Sequence, residues 1–252
     1  MKKVLAVMVI ALAMPLAAWA TVEGPPPCVA GTMADYLALE NGCTIEDKVF
    51  SDFGYGNVVQ PAEGGPIVVD PASIQVTPDA TPLNPGLEFQ GGWSSIFGES
   101  SDIKISFTIT VMQGGNPIED ASLAIAGSGT LGTAAVIAGE TIWLGCGSHE
   151  CGNSVTLQAL DLPGTANDVL FAHTTFDPVM MVHVEKDILL IAQCGGVREQ
   201  SCLTNFATVS IIHQNFSEVP VPEPATLTLL GTGLLAIGGK LRRRMKKGAK
   251  SS

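Results

Sequence analysis

The clearest pattern in the chain is a strict alternation of apolar and polar residues over Ile103–Val111. A period of two predicts a β-strand with one buried face and one solvated face. Turn-forming residues at 114–117 end this strand, and a partner strand follows over Ile118–Ala126. The other predicted strands are Val49–Tyr55, Ile67–Thr77, Leu87–Gly91, Ala134–Leu144, Val155–Leu162, Val179–Val184, Ile188–Gln193 and Thr204–Phe216.

Short strands with frequent breaks predict a mainly β protein, namely an antiparallel β-sandwich that comprises residues 21–218. One short helix is predicted over Thr32–Leu39. Thr32 is its candidate N-cap, and Asn41-Gly42 ends it. No repeat of solenoid or propeller length is visible, which disfavours those architectures.

The first 20 residues have the features of a secretory signal peptide. Lys2 and Lys3 provide a positive start, and Val4–Met14 is an apolar run of signal-core length. Ala18-Trp19-Ala20 matches the small-x-small cleavage pattern, so cleavage is expected between Ala20 and Thr21. A short retained membrane anchor is the alternative, but the apolar run is brief for a membrane span.

The C-terminal segment, 219–252, has three parts in a fixed order. Pro222-Glu223-Pro224 is stiff and extended, since each proline restricts its own φ and its predecessor. A transmembrane helix is predicted over 225–241, short for a bilayer but assisted by snorkelling lysines. The basic cluster Arg242-Arg243-Arg244 is expected to stay cytoplasmic by the positive-inside rule.

This order of elements at the chain end resembles the PEP-CTERM sorting signal, a tail module also described on some ice-binding proteins. The resemblance implies recognition by an exosortase, a membrane-embedded cysteine transpeptidase, with cleavage near Pro222-Glu223-Pro224. It also implies association with exopolysaccharide and biofilm in Gram-negative bacteria. The segments 28–57 and 211–224 are similar to the two ends of the body in PEP-CTERM proteins of unassigned function.

The charge is distributed asymmetrically. All 24 acidic residues lie between Glu23 and Glu223, with only four basic residues among them, which gives this span a net charge of −20. The remaining basic residues stand at the two ends. An acidic body repels nucleic acid and anionic headgroups, so neither is expected as a partner of the body.

The six cysteines of the exported body form three close pairs in sequence. An even count outside the cytosol predicts disulfides. Local pairing joins neighbours, whereas a rival pairing joins the loop at 146–151 to the loop at 194–202. The candidates are Cys28, Cys43, Cys146, Cys151, Cys194 and Cys202.

Several patterns suggest other chemistry but lack its full signature. Cys146, His149 and Cys151 offer metal ligands, yet export favours a disulfide there. The segment 127–132 matches G-x-G-x-x-G by letters, but a β-rich segment follows instead of a helix. No hydrolase or EF-hand spacing is present, and Trp93 and Trp143 are expected in the core rather than stacked on sugars.

The sequence therefore predicts an exported, non-enzymatic protein of the cell surface or exopolysaccharide matrix. It is expected to need no cofactor and no metal. Its expected partners are an exosortase, the inner membrane before processing, and exopolysaccharide. Two alternatives stay open: an extracellular carbohydrate-binding module, lectin-like or ice-binding, and an extracellular hydrolase.

Overall fold

The computed structural model describes residues 24–60, 69–148, 152–164, 168–192 and 204–219. These residues form short antiparallel strands with one helix, α1 (Met33–Leu37), and a 3-10 helix, Pro71–Ser73. The strands are β1 Gly31–Thr32, β2 Cys43–Ile45, β3 Lys48–Gln60, β4 Gln75–Asp79, β5 Gly86–Ile96, β6 Ser100–Val111, β7 Ile118–Ala126, β8 Gly129–Leu131, β9 Ala135–Leu144, β10 Ser154–Asp161, β11 Phe171–Val179, β12 Met181–Ile191 and β13 Phe206–Asn215.

The strands build two sheets that face each other across one core. The six-stranded sheet has the order β10-β9-β12-β6-β3-β2, and the seven-stranded sheet has the order β1-β4-β5-β13-β7-β11 with β8 on β13. Every ladder between these strands is antiparallel. The predicted antiparallel β-sandwich is therefore confirmed.

Phe107 of β6 lies at the centre of the core. Rings of both sheets surround it, with Phe50 and Phe53 on its own sheet and Phe89 and Phe216 opposite, at centroid distances of 6.0–6.3 Å. The alternation that predicted β6 is the cause, because it turns every second side chain inward. Burial of large aromatic rings makes this contact a main source of sandwich stability.

The N-terminal helix is capped as predicted. Thr32 accepts a hydrogen bond from the Asp35 N–H at 3.2 Å, and the Asp35 carboxylate accepts one from the Thr32 N–H at 2.8 Å. These reciprocal bonds hold the pKa of Asp35 below its ordinary value, since the ionised carboxylate is the better acceptor.

The first predicted disulfide is present, between Cys28 and Cys43. It fastens the N-terminal segment to β2, beside the hydrogen bonds that Cys28 and Thr44 make across the same junction. Cys146 is disulfide-bonded too. Cys151, Cys194 and Cys202 lie outside the described residues, so the pairing of these loops stays a prediction.

The limits of several predicted strands were wrong. The predicted strand 67–77 begins only at Gln75, because Asp70 caps the 3-10 helix Pro71–Ser73 through the Ala72 N–H. The strands predicted at 179–184 and 188–193 form one strand, β12. The charged residues between them do not break it, since Glu185 and Asp187 face outward while Lys186 is buried.

Besides the short strands β1, β2 and β8, one long strand was missed, β11. It lies at the edge of the seven-stranded sheet, and its register shifts near Pro178. Proline is tolerated at such an edge because its missing N–H faces no partner strand.

The predicted signal peptide 1–20 and transmembrane helix 225–241 lie outside the described residues. In the part of the chain that the structure describes, no helix has the length and apolar character needed to cross a bilayer.

Replacing Cys28 and Cys43 together with serine should lower the free energy of unfolding. The bonded cysteines are 15 residues apart, and a loop of this length corresponds to about 3 kcal/mol in the chain-entropy model. Urea unfolding under non-reducing conditions measures the change. Thr32→Ala, which weakens the adjacent helix cap, should cost only about 1 kcal/mol, and equal losses for the two variants would contradict this ranking.

Candidate functional site

A groove of about 720 Å³ crosses the outer face of the six-stranded sheet. It runs over β3, β6, β12, β9 and β10, and its volume is in the usual range for ligand sites. Its lining residues are Gly54, Tyr55, Gly56, Lys104, Ile105, Ser106, Gly139, Glu140, Thr141, Thr156, Leu157, Gln158, Glu185, Lys186 and Asp187.

Glycines in three strand positions leave room for the groove, namely Gly54, Gly56 and Gly139. A Cβ atom built on Gly54 would overlap the hydroxyl of Ser106, its cross-strand partner on β6. Gly56 and Gly139 also leave the sheet surface bare beside Lys104 and Asp187. The outward residues that remain are chiefly hydroxyl, amide and charged groups, so the groove has a polar lining.

An aromatic row adjoins the groove on the same face. Trp143 of β9 and Thr108 of β6 flank His183 of β12 in register. The Trp143 and His183 rings lie 5.7 Å apart, and Thr108 Oγ1 lies 3.1 Å from His183 Nδ1. Thr141, which lines the groove, precedes Trp143 by two residues on β9, so the half-buried indole lies on the same face directly beside the groove.

The loop after β9 closes this end of the sheet. The Gly145 N–H donates to the Met181 carbonyl at 2.8 Å, and the Thr108 hydroxyl lies 3.5 Å from the Gly147 carbonyl. The loop contains the disulfide-bonded Cys146. The cysteine loop therefore supports the row that holds Trp143.

Carboxylates dominate the charge in the groove. Burial is the largest influence on Asp187 and raises its pKa, and the neighbouring carboxyls of Asp102 and Glu185 raise it further. Lys104 opposes them from 3.9 Å, but both members of this ion pair are largely exposed, so its attraction is weak. The groove thus offers hydrogen-bond acceptors in an electronegative setting.

Three buried polar side chains meet beneath the groove floor. Lys186 and Glu140 face each other on β12 and β9, and Gln214 reaches them from β13 of the opposite sheet. Their exposed fractions are 1%, 3% and 0%. Lys186 Nζ donates hydrogen bonds to Glu140 Oε2 and to Gln214 Oε1 and lies 5.9 Å from the centre of the Phe107 ring.

Burial sets the protonation of this triad. It raises the pKa of Glu140 and lowers the pKa of Lys186, and their mutual attraction opposes both shifts. Glu140 Oε1 has no hydrogen-bond partner in the described part of the chain. The protonated form of Glu140 and the neutral form of Lys186 are therefore more populated in the core than they would be in water.

A second buried lysine, Lys48, lies at one end of the sandwich. Its Nζ contacts the Asp47 carboxylate, lies 2.7 Å from Glu218 Oε1, and donates to the Asn116 carbonyl at 2.8 Å. Burial alone would raise the pKa of Asp47, but Lys48 and the Asn116 N–H bring it below its ordinary value. The cluster fastens the end of the folded body, just before residue 220, to the β2–β3 turn.

The structure separates the residues that the sequence singled out. Trp93 is buried as predicted, whereas Trp143 lies on the outer face. The G-x-G-x-x-G letters form a turn and β8, followed by the strand β9. Within the described residues, no three His, Cys, Asp or Glu side chains converge on a metal position. The remaining predicted site residues, Ala18, Ala20, Thr21, Pro222, Glu223, Pro224, Arg242, Arg243 and Arg244, lie outside the described residues.

The groove and the buried triad were both missed by sequence reasoning. A signal for the triad existed, since Lys186 is in phase with the apolar residues Val184 and Ile188 on β12. Glu140 and Gln214 are likewise in phase with buried neighbours. The groove has no such signal, because its residues come together only through the strand order.

Asp187→Asn should stabilise the body at neutral pH. The pKa of Asp187 is raised on folding, so its contribution to stability is full below the ordinary value of 3.8 and is lost as the pH rises through the folded-state pKa. The variant should therefore exceed the parent in thermal midpoint at pH 7 and match it near pH 3. Asp177→Asn, at an exposed position of β11, should change little at either pH. A rise in the thermal midpoint of Asp187→Asn that is larger near pH 3 than at pH 7 would contradict this prediction.

Comparison with solved structures returns carbohydrate-binding modules. One is TmCBM61 in complex with β-1,4-galactotriose, with 8% identity, a TM-score of 0.28, and coverage of 67% of this chain and 90% of that one. Another belongs to a study of promiscuous carbohydrate-binding modules of the β-sandwich superfamily, with 10% identity, a TM-score of 0.23, and coverage of 78% and 63%. Scores this low carry no argument about ligand.

Comparison with curated proteins finds no significant sequence match. A family model of the PEP-CTERM protein-sorting motif matches residues 220–244, which include the Pro-Glu-Pro motif and the arginine cluster. The match begins directly after the last described residue of the body, Val219. The chain therefore carries a PEP-CTERM protein-sorting motif, the mark of an exported protein that an exosortase sorts.

Proposed function

We propose that this chain is a non-enzymatic component of the cell surface or the exopolysaccharide matrix. The observation that carries the proposal is the sorting motif at 220–244. The signal peptide 1–20 directs export, and the segment 225–241 holds the chain in the inner membrane. An exosortase then cleaves near Pro222-Glu223-Pro224 and frees the body.

The end of the sandwich is compatible with this processing. The Glu218 N–H donates to the Leu83 carbonyl and the Val219 N–H donates to the Pro117 carbonyl, both at 3.1 Å. The Lys48 cluster holds the Glu218 side chain as well. Cleavage after these contacts would leave every strand of the described body intact, so the released body keeps its fold.

The acidic surface of the body is compatible with an extracellular location. Its charge keeps it soluble and away from anionic membranes. The disulfide-bonded Cys28, Cys43 and Cys146 persist in an oxidising compartment.

A second candidate, carbohydrate binding, is favoured by the groove and its neighbour Trp143. Sugar rings present an apolar face to aromatic side chains and hydroxyls to polar ones, and this face of the sheet offers both. Thr141, Thr156 and Gln158 supply hydrogen-bonding groups beside the indole, and Glu185 supplies a carboxylate acceptor. The proposed ligand is an exopolysaccharide chain that binds across the outer face of the sheet.

Changing Pro222, Glu223 and Pro224 to alanine should abolish processing. The tail would keep its apolar and basic parts, so the chain would accumulate in the membrane fraction at unprocessed size. Immunoblotting of cell fractions and mass spectrometry of the C-terminus measure this outcome in exosortase-positive cells. Pro220→Ala, within the matched segment but outside the Pro-Glu-Pro triplet, should be processed normally. Release of the triple variant at the parental rate would remove the sorting proposal.

Trp143→Ala should weaken glycan binding about fivefold, because one stacked aromatic ring contributes roughly 1 kcal/mol. A glycan array of neutral and acidic bacterial polysaccharides identifies the ligand, and calorimetry with the strongest one measures affinity. Phe171→Ala, at an exposed position on the other sheet, is the matched control and should bind like the parent. Equal weakening by both variants would rule out the groove as the site.

A further inference from the structure

Neither the proposed sorting nor the proposed glycan binding uses the buried side chains of the triad Lys186, Glu140 and Gln214. A buried ion pair contributes little net stability, because the cost of desolvating both charges offsets their attraction. Apolar side chains at such positions often stabilise a protein equally well. The other inward residues of β12, by contrast, are aliphatic: Val182, Val184, Ile188 and Leu190. Stability alone therefore does not explain why these three polar side chains are buried together.

Its arrangement is that of a nucleophile, an electrophile and a proton-transfer group. The Lys186 amine touches the Gln214 side-chain amide across the two sheets, and it touches the Glu140 carboxyl on the neighbouring strand. The Phe107 ring packs beside the amine and excludes water. From this geometry we propose that Lys186 and Gln214 form an intramolecular isopeptide bond, with Glu140 as the catalytic residue.

The reaction balances without any cofactor. The lone pair of Lys186 Nζ attacks Gln214 Cδ, a new C–N bond forms, and the Cδ–Nε2 bond breaks. Glu140 takes a proton from the attacking nitrogen and gives a proton to the departing one, so ammonia leaves and the carboxyl is regenerated. Nothing is oxidised or reduced. The amine and amide become one secondary amide plus one ammonia molecule.

The core favours each step. Burial lowers the pKa of Lys186 and raises that of Glu140, and both shifts increase the share of neutral amine and protonated acid. The fold holds the reacting groups in contact, which replaces a slow encounter by a high effective concentration. Exclusion of water also protects the product from hydrolysis.

The bond would join β12 to β13, and so one sheet to the other through the centre of the sandwich. Such a link resists forces that separate the sheets, and it resists reduction, unlike a disulfide. The Lys48 cluster is the natural comparison. Lys48 contacts two carboxylates and a backbone carbonyl, while the Asn116 side-chain amide bonds to Glu218 instead. Lys48 therefore remains an ordinary ion-paired lysine.

Mass spectrometry of the full chain, reduced and denatured, tests the proposal. The mass should be lower by one ammonia molecule than the mass of the same chain without the bond. Trypsin should cleave after Lys48 but not after Lys186, because the modified lysine is no longer a substrate. The peptide 105–198 should appear joined to the peptide that begins at Glu199 and contains Gln214.

Three results would overturn the proposal. The first is normal cleavage after Lys186 with the unmodified mass. The second is loss of ammonia that maps to an asparagine while Lys186 is cleaved normally. The third is loss of water with Lys186 joined to Glu140. These measurements use the parent chain, so they do not depend on whether a variant folds.

Glu140→Gln tests the catalytic role separately. The substitution preserves shape but removes the group that moves the proton, so the variant should fold, keep the full mass and release the peptide 187–198 on digestion. Circular dichroism establishes that it is folded. A folded Glu140→Gln chain that still contains the cross-link would exclude Glu140 as the catalytic residue. Lys48→Met should leave the cross-link unchanged, and its loss in that variant would show that the bond depends on general stability instead.

Discussion

The two-residue period of the strands is the constraint on which the structure depends. It turns one side of each strand toward Phe107 and the other toward solvent. The position of a residue on β6, β9 or β12 therefore decides which face of the sheet its side chain lies on. A residue at an inward position is buried whatever its chemistry. This is how Lys186 and Glu140 reach the core, while their neighbours Glu185 and Asp187 lie in the outer groove.

The same constraint divides the six-stranded sheet into two chemical surfaces. Its inner face is chiefly aromatic and aliphatic, with Lys186 and Glu140 among its few polar residues, and its outer face is polar with glycines along the groove. The triad lies directly below the groove floor. A single layer of backbone therefore separates the solvated acidic surface from these buried side chains. Burial at that depth is what moves the pKa values of Glu140 and Lys186 toward their neutral forms.

The junction between body and tail is also a matter of burial. Glu218 is a charged residue at the end of the fold, and Lys48 compensates its burial. The sandwich is therefore fastened up to the residue before the sorting motif. A body with firmly held last residues can be separated from its tail without loss of structure, which is compatible with the proposed removal of the tail.

The sequence by itself determined the sorting motif, the β class, the helix cap and the first disulfide. These features depend on order and local spacing: Pro222-Glu223-Pro224 before an apolar run, the alternation over Ile103–Val111, and Thr32 three residues before Asp35. Only the tertiary structure decided the groove and the triad. Gln214 and Lys186 lie on strands of different sheets, and Gly54, Ser106 and Thr141 become neighbours through a strand order that no local pattern encodes. Long-range pairing depends on the total burial of both sheets, and this is why residue spacing alone could not place these side chains together.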